Sequence, residues 1–399
     1  MKPEIDPLLE YRAEFPILDK TTYLVSNSLG PMPHSVPDRL AEYASDWASL
    51  GVTAWKHGWW EKPLETGNEI APLMNAEPGS VVMVPNVSFA QSVVVSAMDF
   101  SGDRDTIVMT DLDFPSVRYA YQELGKRLGA RIVSVPSDDG ITVDQQRLLD
   151  AIDERTKLVA ISHVLYKSAF INDVDRICRH AHKMGAMVSL DAFHSVGIIP
   201  VDVEKSGADF VSGGVLKWLC GGPGACFLYV SPAVRDTLQP ALTGWQAHSR
   251  PFAFEDRMDY ATGASRWLGG TPVIPALYAA AEGAKIIRSA GMEAIRKKSV
   301  RQTSRLIELA DDRGFSVFSP RNSDHRAGTV TIDVPHAYEI SQLLISRDIL
   351  VDYRVGAGIR AAPFFFNTDE EIELLIDTID EVLRTSEWKK YSDRHAVVT

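Results

Sequence analysis

Short apolar runs alternate with longer amphipathic stretches through the middle of the chain. The runs have the length of buried strands, and the stretches between them carry apolar residues at helical spacing. This alternation is typical of βαβ units, so we predict an α/β fold with a mainly parallel seven-stranded sheet between helices. The predicted strands are Ser80–Val84, Asp105–Met109, Arg131–Val135, Leu158–Ser162, Met187–Asp191, Asp209–Ser212 and Ala225–Val230. The predicted helices are Phe89–Phe100 (with Ser88 as its N-cap), Ser116–Leu128, Asp144–Ile152 and Asp173–Met184.

Glycine and proline interrupt the pattern between residues 240 and 275. Beyond this region long helices, short strands and a closing helix predict a smaller C-terminal α+β domain. Its predicted helices are Pro275–Ser289, Met292–Arg313, Ala337–Ser346 and Asp369–Ser386, and its predicted strands are Gly314–Phe318 and Thr329–Val334. We therefore predict a large domain over residues 21–279 and a small domain over residues 280–399, with the N-terminal segment 1–20 packing with the small domain.

The composition narrows the classes of function. A chain of 399 residues exceeds one ordinary core, and 45% hydrophobic with 24% charged residues is usual for a globular protein. The net charge of −12, without a basic block, disfavours a nucleic-acid partner. No apolar run reaches the ~18 residues of a membrane span, and the N-terminus lacks the apolar region of a signal peptide. Because three cysteines show no metal-ligand spacing, we expect a cytoplasmic protein without a metal or disulfides.

A carboxylate and a lysine follow two consecutive predicted strands. Asp191 closes the strand Met187–Asp191, and Lys217 stands past Asp209–Ser212, before the glycine-rich turn 221–224. A lysine can hold pyridoxal phosphate (PLP) as a Schiff base, and a carboxylate can keep the pyridine nitrogen protonated. The pair therefore predicts a PLP enzyme acting at Cα or Cβ of an amino acid. The alternative is a strand-end lysine beside a loop-capping aspartate.

Two more side chains are predicted near this pair. His194 follows Asp191 closely, and both are expected beyond the carboxyl ends of the strands, where α/β sheets bind ligands. We expect His194 to reach the phenolic oxygen of the cofactor or the substrate, and to serve catalysis together with Lys217. Phe114 follows another predicted strand and is expected to place its ring over the cofactor; a core position is the alternative.

The residues also predict one site for the cofactor phosphate and one for the substrate carboxylate. Val87 and Ser88 open a predicted helix, whose N–H groups and dipole suit a phosphate, although a simple N-cap gives the same pattern. Arg360 offers a planar fork that matches an α-carboxylate, and its apolar neighbours indicate partial burial; a surface salt bridge is the alternative.

From about Tyr23 to the final helix, the chain resembles the class V branch of fold-type-I PLP enzymes, and within it kynureninases and their relatives. The matching pieces are Asn27-Ser28-Leu29-Gly30, Asp113-Phe114-Pro115, Ser162-His163-Val164, Asp191-Ala192-Phe193-His194 with Gly197, Gly207-Ala208-Asp209-Phe210, Lys217-Trp218-Leu219 with Gly221-Gly222-Pro223-Gly224, Gly270-Thr271-Pro272 and Arg360.

The resemblance implies further roles. Trp245 falls at the phosphate side of the cofactor, and Asn27 at the substrate. Thr271 corresponds to a residue that reaches the phosphate of the neighbouring subunit, which implies a homodimer with shared active sites. For Lys217, Asp191, His194 and Phe114 the resemblance implies the roles already inferred from the residues.

The reaction implied is kynureninase-like hydrolytic cleavage of a side chain at Cβ–Cγ, which gives alanine. Leu216, Ser116-Val117 and Leu165 replace the tyrosine, Thr-Asp and asparagine that kynureninases usually carry, which suggests a neighbouring reaction on a related substrate. The alternatives are a C–S lyase or other β-elimination, an epimerase, an aminotransferase of the same branch, and a non-catalytic relative. A persulfide-forming desulfurase is disfavoured because no cysteine follows Cys226.

Overall fold

The computed structural model of the chain describes residues 6–392, so residues 1–5 and 393–399 of the predicted terminal segments lie outside the described part. In chain order the strands are β1 Thr22–Tyr23, β2 Val81–Val84, β3 Thr106–Thr110, β4 Arg131–Val135, β5 Thr156–Ser162, β6 Met187–Asp191, β7 Phe210–Gly214, β8 Cys226–Val230, β9 Ser316–Val317, β10 Val330–Asp333, β11 Ile349–Leu350, β12 Asp352–Arg354 and β13 Gly358–Ala361. The α-helices are α1 Val36–Leu50, α2 Lys62–Ile70, α3 Val87–Ser96, α4 Pro115–Ala120, α5 Gln145–Asp150, α6 Val174–Lys183, α7 Val203–Ser206, α8 Ile274–Ala280, α9 Glu282–Ala290, α10 Met292–Asp312, α11 Ala337–Ser346 and α12 Asp369–Thr385.

The predicted seven-stranded, mainly parallel sheet is confirmed. Its strand order is β2-β8-β7-β6-β5-β3-β4, and only β8 runs antiparallel to its neighbours. Six of the strands are almost wholly buried because helices cover the sheet, which explains their apolar character, whereas the edge strand β4 is partly exposed. The α/β fold class predicted from the sequence is therefore correct.

The parallel strands end along one edge of the sheet, and this edge holds the residues of interest. β2 and β7 both pair antiparallel with β8, so they run in the same direction as each other. The carboxyl ends of β2, β7, β6, β5 and β3 consequently lie together, where parallel sheets bind ligands. Helix α3 begins just after β2 at this same edge.

A second hydrophobic core lies in the C-terminal part. The sheet β12-β13-β10-β9 is antiparallel and packs with α10, α11 and α12. The N-terminal turns contact this part, because Arg12 donates to the Phe366 carbonyl at 2.8 Å and pairs with Glu371 at 3.1 Å. Asp6 pairs with the buried Lys298 at 2.8 Å. The domain boundary predicted at residues 279 and 280 stays a prediction.

The predicted cap of α3 is wrong. Asn86, not Ser88, is the N-cap: its side chain accepts the Phe89 N–H at 2.9 Å, and the helix begins at Val87. Asparagine is among the strongest N-cap residues, and it stands three positions before the N–H that it receives. Ser88 thereby moves into the first turn of the helix.

Other helix boundaries also differ from the prediction. The predicted helix Pro275–Ser289 is two helices, α8 and α9, which meet at Ala281. The predicted helix Ser116–Leu128 is the short α4 followed by a π-helical turn at 121–125. Helices α1 and α2 were not predicted. Within residues 6–392, no helix has both the length and the apolar character needed to cross a lipid bilayer.

Candidate active site

Lys217 lies in the loop that follows β7. This loop folds back on itself, since Cys220 N–H donates to the Lys217 carbonyl at 3.0 Å and Gly221 N–H donates to the Val215 carbonyl at 2.8 Å. Trp218 and Leu219 are buried and anchor the loop in the core. Lys217 is thus held three residues beyond the end of β7 by packing on its C-terminal side.

The amine of Lys217 has one close polar contact and two aromatic neighbours. Its Nζ lies 2.7 Å from His194 Nε2, and 5.4 Å and 4.4 Å from the ring centroids of Phe114 and Phe193. Burial of the amine lowers the pKa of Lys217 to about 7, and the Arg360 charge acts in the same direction. Burial, followed by the charge on Lys217, also lowers the pKa of His194 well below its usual value. A neutral imidazole beside a readily deprotonated amine suits proton transfer.

Asp191 ends β6, directly beside β7. It pairs in register with Ser212, and its Oδ1 accepts the Phe193 N–H at 2.9 Å. Burial raises the pKa of the Asp191 carboxyl above its usual range, while that N–H and the charge on Lys217 oppose the shift. A buried carboxylate at this strand end gains stabilisation from a cationic partner such as a protonated pyridine nitrogen.

Asp113 fixes the position of Phe114. This buried carboxylate joins the ends of two strands: one oxygen accepts Thr110 N–H at 2.7 Å, and the other accepts Ser162 N–H at 2.6 Å. The Phe114 ring then meets the ring of Tyr166 edge-on at 5.2 Å. Asp113 was not predicted as a site residue, although an aspartate just before Phe-Pro at a strand end is a readable signal.

Val87 and Ser88 lie in the first turn of α3, at the edge that also carries Asp191. The helix is fixed against the sheet by Gln91, whose Nε2 donates to Ser212 Oγ at 2.8 Å. Ser212 pairs with Asp191, so one buried network joins this helix to the strand end. The first-turn N–H groups and the helix dipole suit a phosphate.

Arg360 lies on β13, and it is buried more deeply than predicted. Its Nε donates to Asp352 Oδ1 at 2.7 Å, a second nitrogen also contacts Asp352, and Nη1 donates to the Tyr166 carbonyl at 2.5 Å. Arg354 pairs with the same carboxylate at 3.0 Å and reaches Ser28 Oγ at 3.2 Å. The prediction missed Asp352 and Arg354 because it did not include the β12–β13 hairpin.

Asn27 is fully buried, and both polar atoms of its amide lack a hydrogen-bond partner within residues 6–392. Its loop touches the lysine loop, because Gly30 N–H donates to the Leu216 carbonyl at 2.7 Å. A buried amide without a protein partner is costly unless a ligand or water supplies the missing bonds. This orphaned amide, the low-pKa lysine, the strand-end acid and the helix N-terminus together fit PLP with an amino-acid substrate.

Trp245 and Thr271 lie in neighbouring segments. The backbone of Gly244 is packed tightly against Gly269, and Gly269 in turn lies against the ring of Phe89 in the first turn of α3. Within the described chain, Trp245 donates its indole N–H to Pro251 O at 2.5 Å, and Thr271 is exposed. The single chain therefore brings both segments near α3 and leaves Thr271 open to a neighbouring molecule.

Within residues 6–392, no three His, Cys, Asp or Glu side chains form a group that could hold a metal ion. The described cysteines Cys178, Cys220 and Cys226 are free and buried.

The sequence matches the family described as aminotransferase class-V over residues 22–384. It is 31% identical to the kynureninase of Pseudomonas fluorescens over 98% of this chain and 97% of the relative. It is 28% identical to the kynureninase of Burkholderia pseudomallei (strain 1106a), over the same shares of both chains.

The fold is similar to those of solved structures at lower identity. An apo cysteine desulfurase from Thermococcus onnurineus NA1 gives a TM-score of 0.84 at 24% identity, covering 96% of this chain and 100% of that one. A lysine variant of C-DES, with glycine covalently linked to its PLP cofactor, gives 0.84 at 20% identity, covering 93% and 99%. These similarities confirm the fold-type-I architecture and, with the sequence relatives, PLP as the cofactor. The chain belongs to the class-V aminotransferase family of PLP-dependent enzymes.

Proposed function

We propose that the protein cleaves an amino-acid side chain hydrolytically at Cβ–Cγ and releases alanine, as in kynureninases. The full-length similarity to two kynureninases supports this reaction class. The observation that carries the PLP chemistry at Cα, on which this cleavage depends, is the contact of 2.7 Å between Lys217 Nζ and His194 Nε2, beside the strand-end acid Asp191. Bound PLP supplies a ring that stabilises negative charge at the substrate Cα.

Lys217 would hold the cofactor covalently through Nζ and, once released, take the proton from Cα and return one to the product. Its depressed pKa leaves the free amine unprotonated in part at neutral pH, which favours both roles. His194 would orient that amine through Nε2. Asp191 would pair with the pyridine nitrogen, Phe114 would contact the ring, and the first turn of α3 (Val87 and Ser88) would bind the phosphate.

The guanidinium groups of Arg360 and Arg354 favour a substrate that carries a carboxylate. Arg354 and Arg360 carry two positive charges, and the Asp352 carboxylate that both contact offsets one of them. Two guanidinium groups at one place would attract the α-carboxylate of an amino-acid substrate. The amide of Asn27 would bind a polar group of the same substrate, because its atoms have no protein partner within residues 6–392.

We also propose a homodimer in which Thr271 contributes to the partner's phosphate site and Trp245 lies on the phosphate side of the cofactor. Thr271 is exposed, and apolar side chains next to the site loops are exposed as well: Leu29 by 46%, Met32 by 52% and Phe254 by 76%. Contact with a partner subunit would remove these apolar side chains from water.

Product analysis with L-kynurenine and 3-hydroxykynurenine tests the reaction. The PLP-loaded protein is expected to release alanine with anthranilate or its 3-hydroxy analogue, and Lys217→Ala should abolish the release. Lys183→Ala, at the exposed end of α6, provides the matched control and should retain activity. No alanine at high enzyme concentration would remove this reaction from consideration.

β-Elimination is the second candidate, because the similar folds include a C–S lyase. Burial raises the pKa of the thiols of Cys178, Cys220 and Cys226, so a persulfide on this chain is disfavoured and direct elimination is the form that remains. Pyruvate and ammonia from a panel of β-substituted amino acids would identify it. Exchange of the Cα proton without product would indicate an epimerase, and loss of the bound aldehyde an aminotransferase.

A further inference from the structure

Phe193 differs from the residues around it. From Val188 to Ile199 all residues except Phe193 are buried, whereas Phe193 keeps part of its ring exposed. The ring centroid lies 4.4 Å from Lys217 Nζ, closer than the Phe114 ring at 5.4 Å. An aromatic ring left partly open beside the reactive amine, in an otherwise buried segment, is positioned to be covered by a ligand.

Gly214 at the end of β7 makes room for this ring. A Cβ on Gly214 would collide with the outer ring atoms of Phe193. The backbone of Gly214 is not in the left-handed region, so its conformation does not require glycine. Glycine in a strand is unfavourable unless another group approaches the backbone closely. The large side chain at 193 and the missing side chain at 214 therefore form a matched pair.

We propose that Phe193 contacts the PLP bound at Lys217 as a second aromatic wall beside Phe114, and that Gly214 is small so that this ring fits. The proposal rests on PLP binding at Lys217 and is independent of which reaction follows. Packing of a ring against the cofactor would fix its orientation, and an aromatic face near the attachment point also interacts favourably with positive charge.

Phe193→Leu keeps apolar volume and removes the aromatic face. In a PLP titration of the full-length chain freed of cofactor, we expect the dissociation constant to rise roughly 3- to 10-fold. The visible absorption and circular dichroism of bound PLP should change as well, because the ring environment is altered. These spectra report on the cofactor itself, so a purely structural role of Phe193 would leave them as in the wild type.

Gly214→Ala tests the matched pair. In the wild-type background the new methyl group should displace the Phe193 ring from its place beside Lys217 and weaken PLP binding. In the Phe193→Ala background the same substitution should have no effect on affinity, because the ring that it would strike is gone. An equal loss in both backgrounds would show that Gly214 is needed for another reason and would overturn the pairing.

Phe227→Leu is the matched control, since its ring approaches Gly213 on the same strand. This variant should lower the melting temperature without changing PLP affinity or spectra. Wild-type affinity and spectra in Phe193→Leu would overturn the proposal. A wild-type chain that fails to bind PLP would overturn this proposal together with the proposed function. Altered PLP binding in Phe193→Leu, combined with no alanine release by the wild type, would support the role of Phe193 and count against the proposed reaction alone.

Discussion

The reactivity of Lys217 is set by its surroundings, and the resulting pKa predicts how attachment of PLP depends on pH. An amine attacks an aldehyde only when unprotonated, and burial lowers the pKa of Lys217 from 10.5 to about 7. The rate of PLP attachment to the cofactor-free chain should therefore increase steeply as the pH is raised toward 7. Above pH 7 the rate should level off. The growth of the visible absorption band after mixing, measured across pH 6 to 9, gives this profile.

Arg360→Gln tests the charge that acts on Lys217. Removing a nearby positive charge favours the protonated amine, so the midpoint of the pH profile should move upward. Arg347→Gln, which removes an arginine paired with Glu381 and Glu387, serves as the control and should leave the midpoint unchanged. A rate that is still rising steeply at pH 9 in the wild type would show that Lys217 behaves as an ordinary exposed lysine.

Residues of the candidate site were predictable where a short stretch of sequence carries the signal. Asp191 and Lys217 follow strands that are recognisable by their apolar runs, and the structure places both at one edge of the sheet. Phe193 and Asp352 carry no such signal. Phe193 matters because it packs against Gly214, and Asp352 matters because it pairs with Arg360. Both contacts depend on how separate strands align, which a short stretch of sequence does not reveal.

At the scale of elements, all seven strands of the large sheet were predicted from the sequence, because six of them are buried and rich in apolar residues and the edge strand β4 still carries Ile132, Val133 and Val135. The β12–β13 hairpin was not. Its strands span only Asp352–Arg354 and Gly358–Ala361, and charged residues interrupt their apolar pattern. The capping box that starts α12, in which Thr368 accepts the Glu371 N–H, was readable because it is local.

The hairpin register predicts a large effect of Asp352. Asp352 and Arg360 are direct cross-strand partners, and Arg354 contacts the same fully buried carboxylate. Asp352→Asn keeps the shape but removes the buried carboxylate that both guanidinium groups contact. Breaking a buried ion pair in this way costs about 3–5 kcal/mol of unfolding free energy. Chemical denaturation of the variant and the wild type measures this difference.

Two further variants separate charge from shape in this hairpin. Adding Arg354→Gln to Asp352→Asn removes one of the excess positive charges and should restore part of the lost stability. Asp380→Asn breaks the exposed pair with Arg384 on α12 and should cost less than about 1 kcal/mol. Equal losses from Asp352→Asn and Asp380→Asn would contradict the importance assigned to the buried carboxylate.

At the scale of the whole molecule, the exposed Thr271 leads to a prediction about shared sites. If each site takes Lys217 from one chain and Thr271 from the other, Lys217→Met and Thr271→Ala homodimers both bind PLP poorly for different reasons. After unfolding and refolding a 1:1 mixture, half of the dimers are mixed, and each mixed dimer has one site free of both substitutions. Tight PLP binding should then return in about a quarter of all sites, as measured by titration, whereas mixed dimers without this recovery would show that each site is built from a single chain.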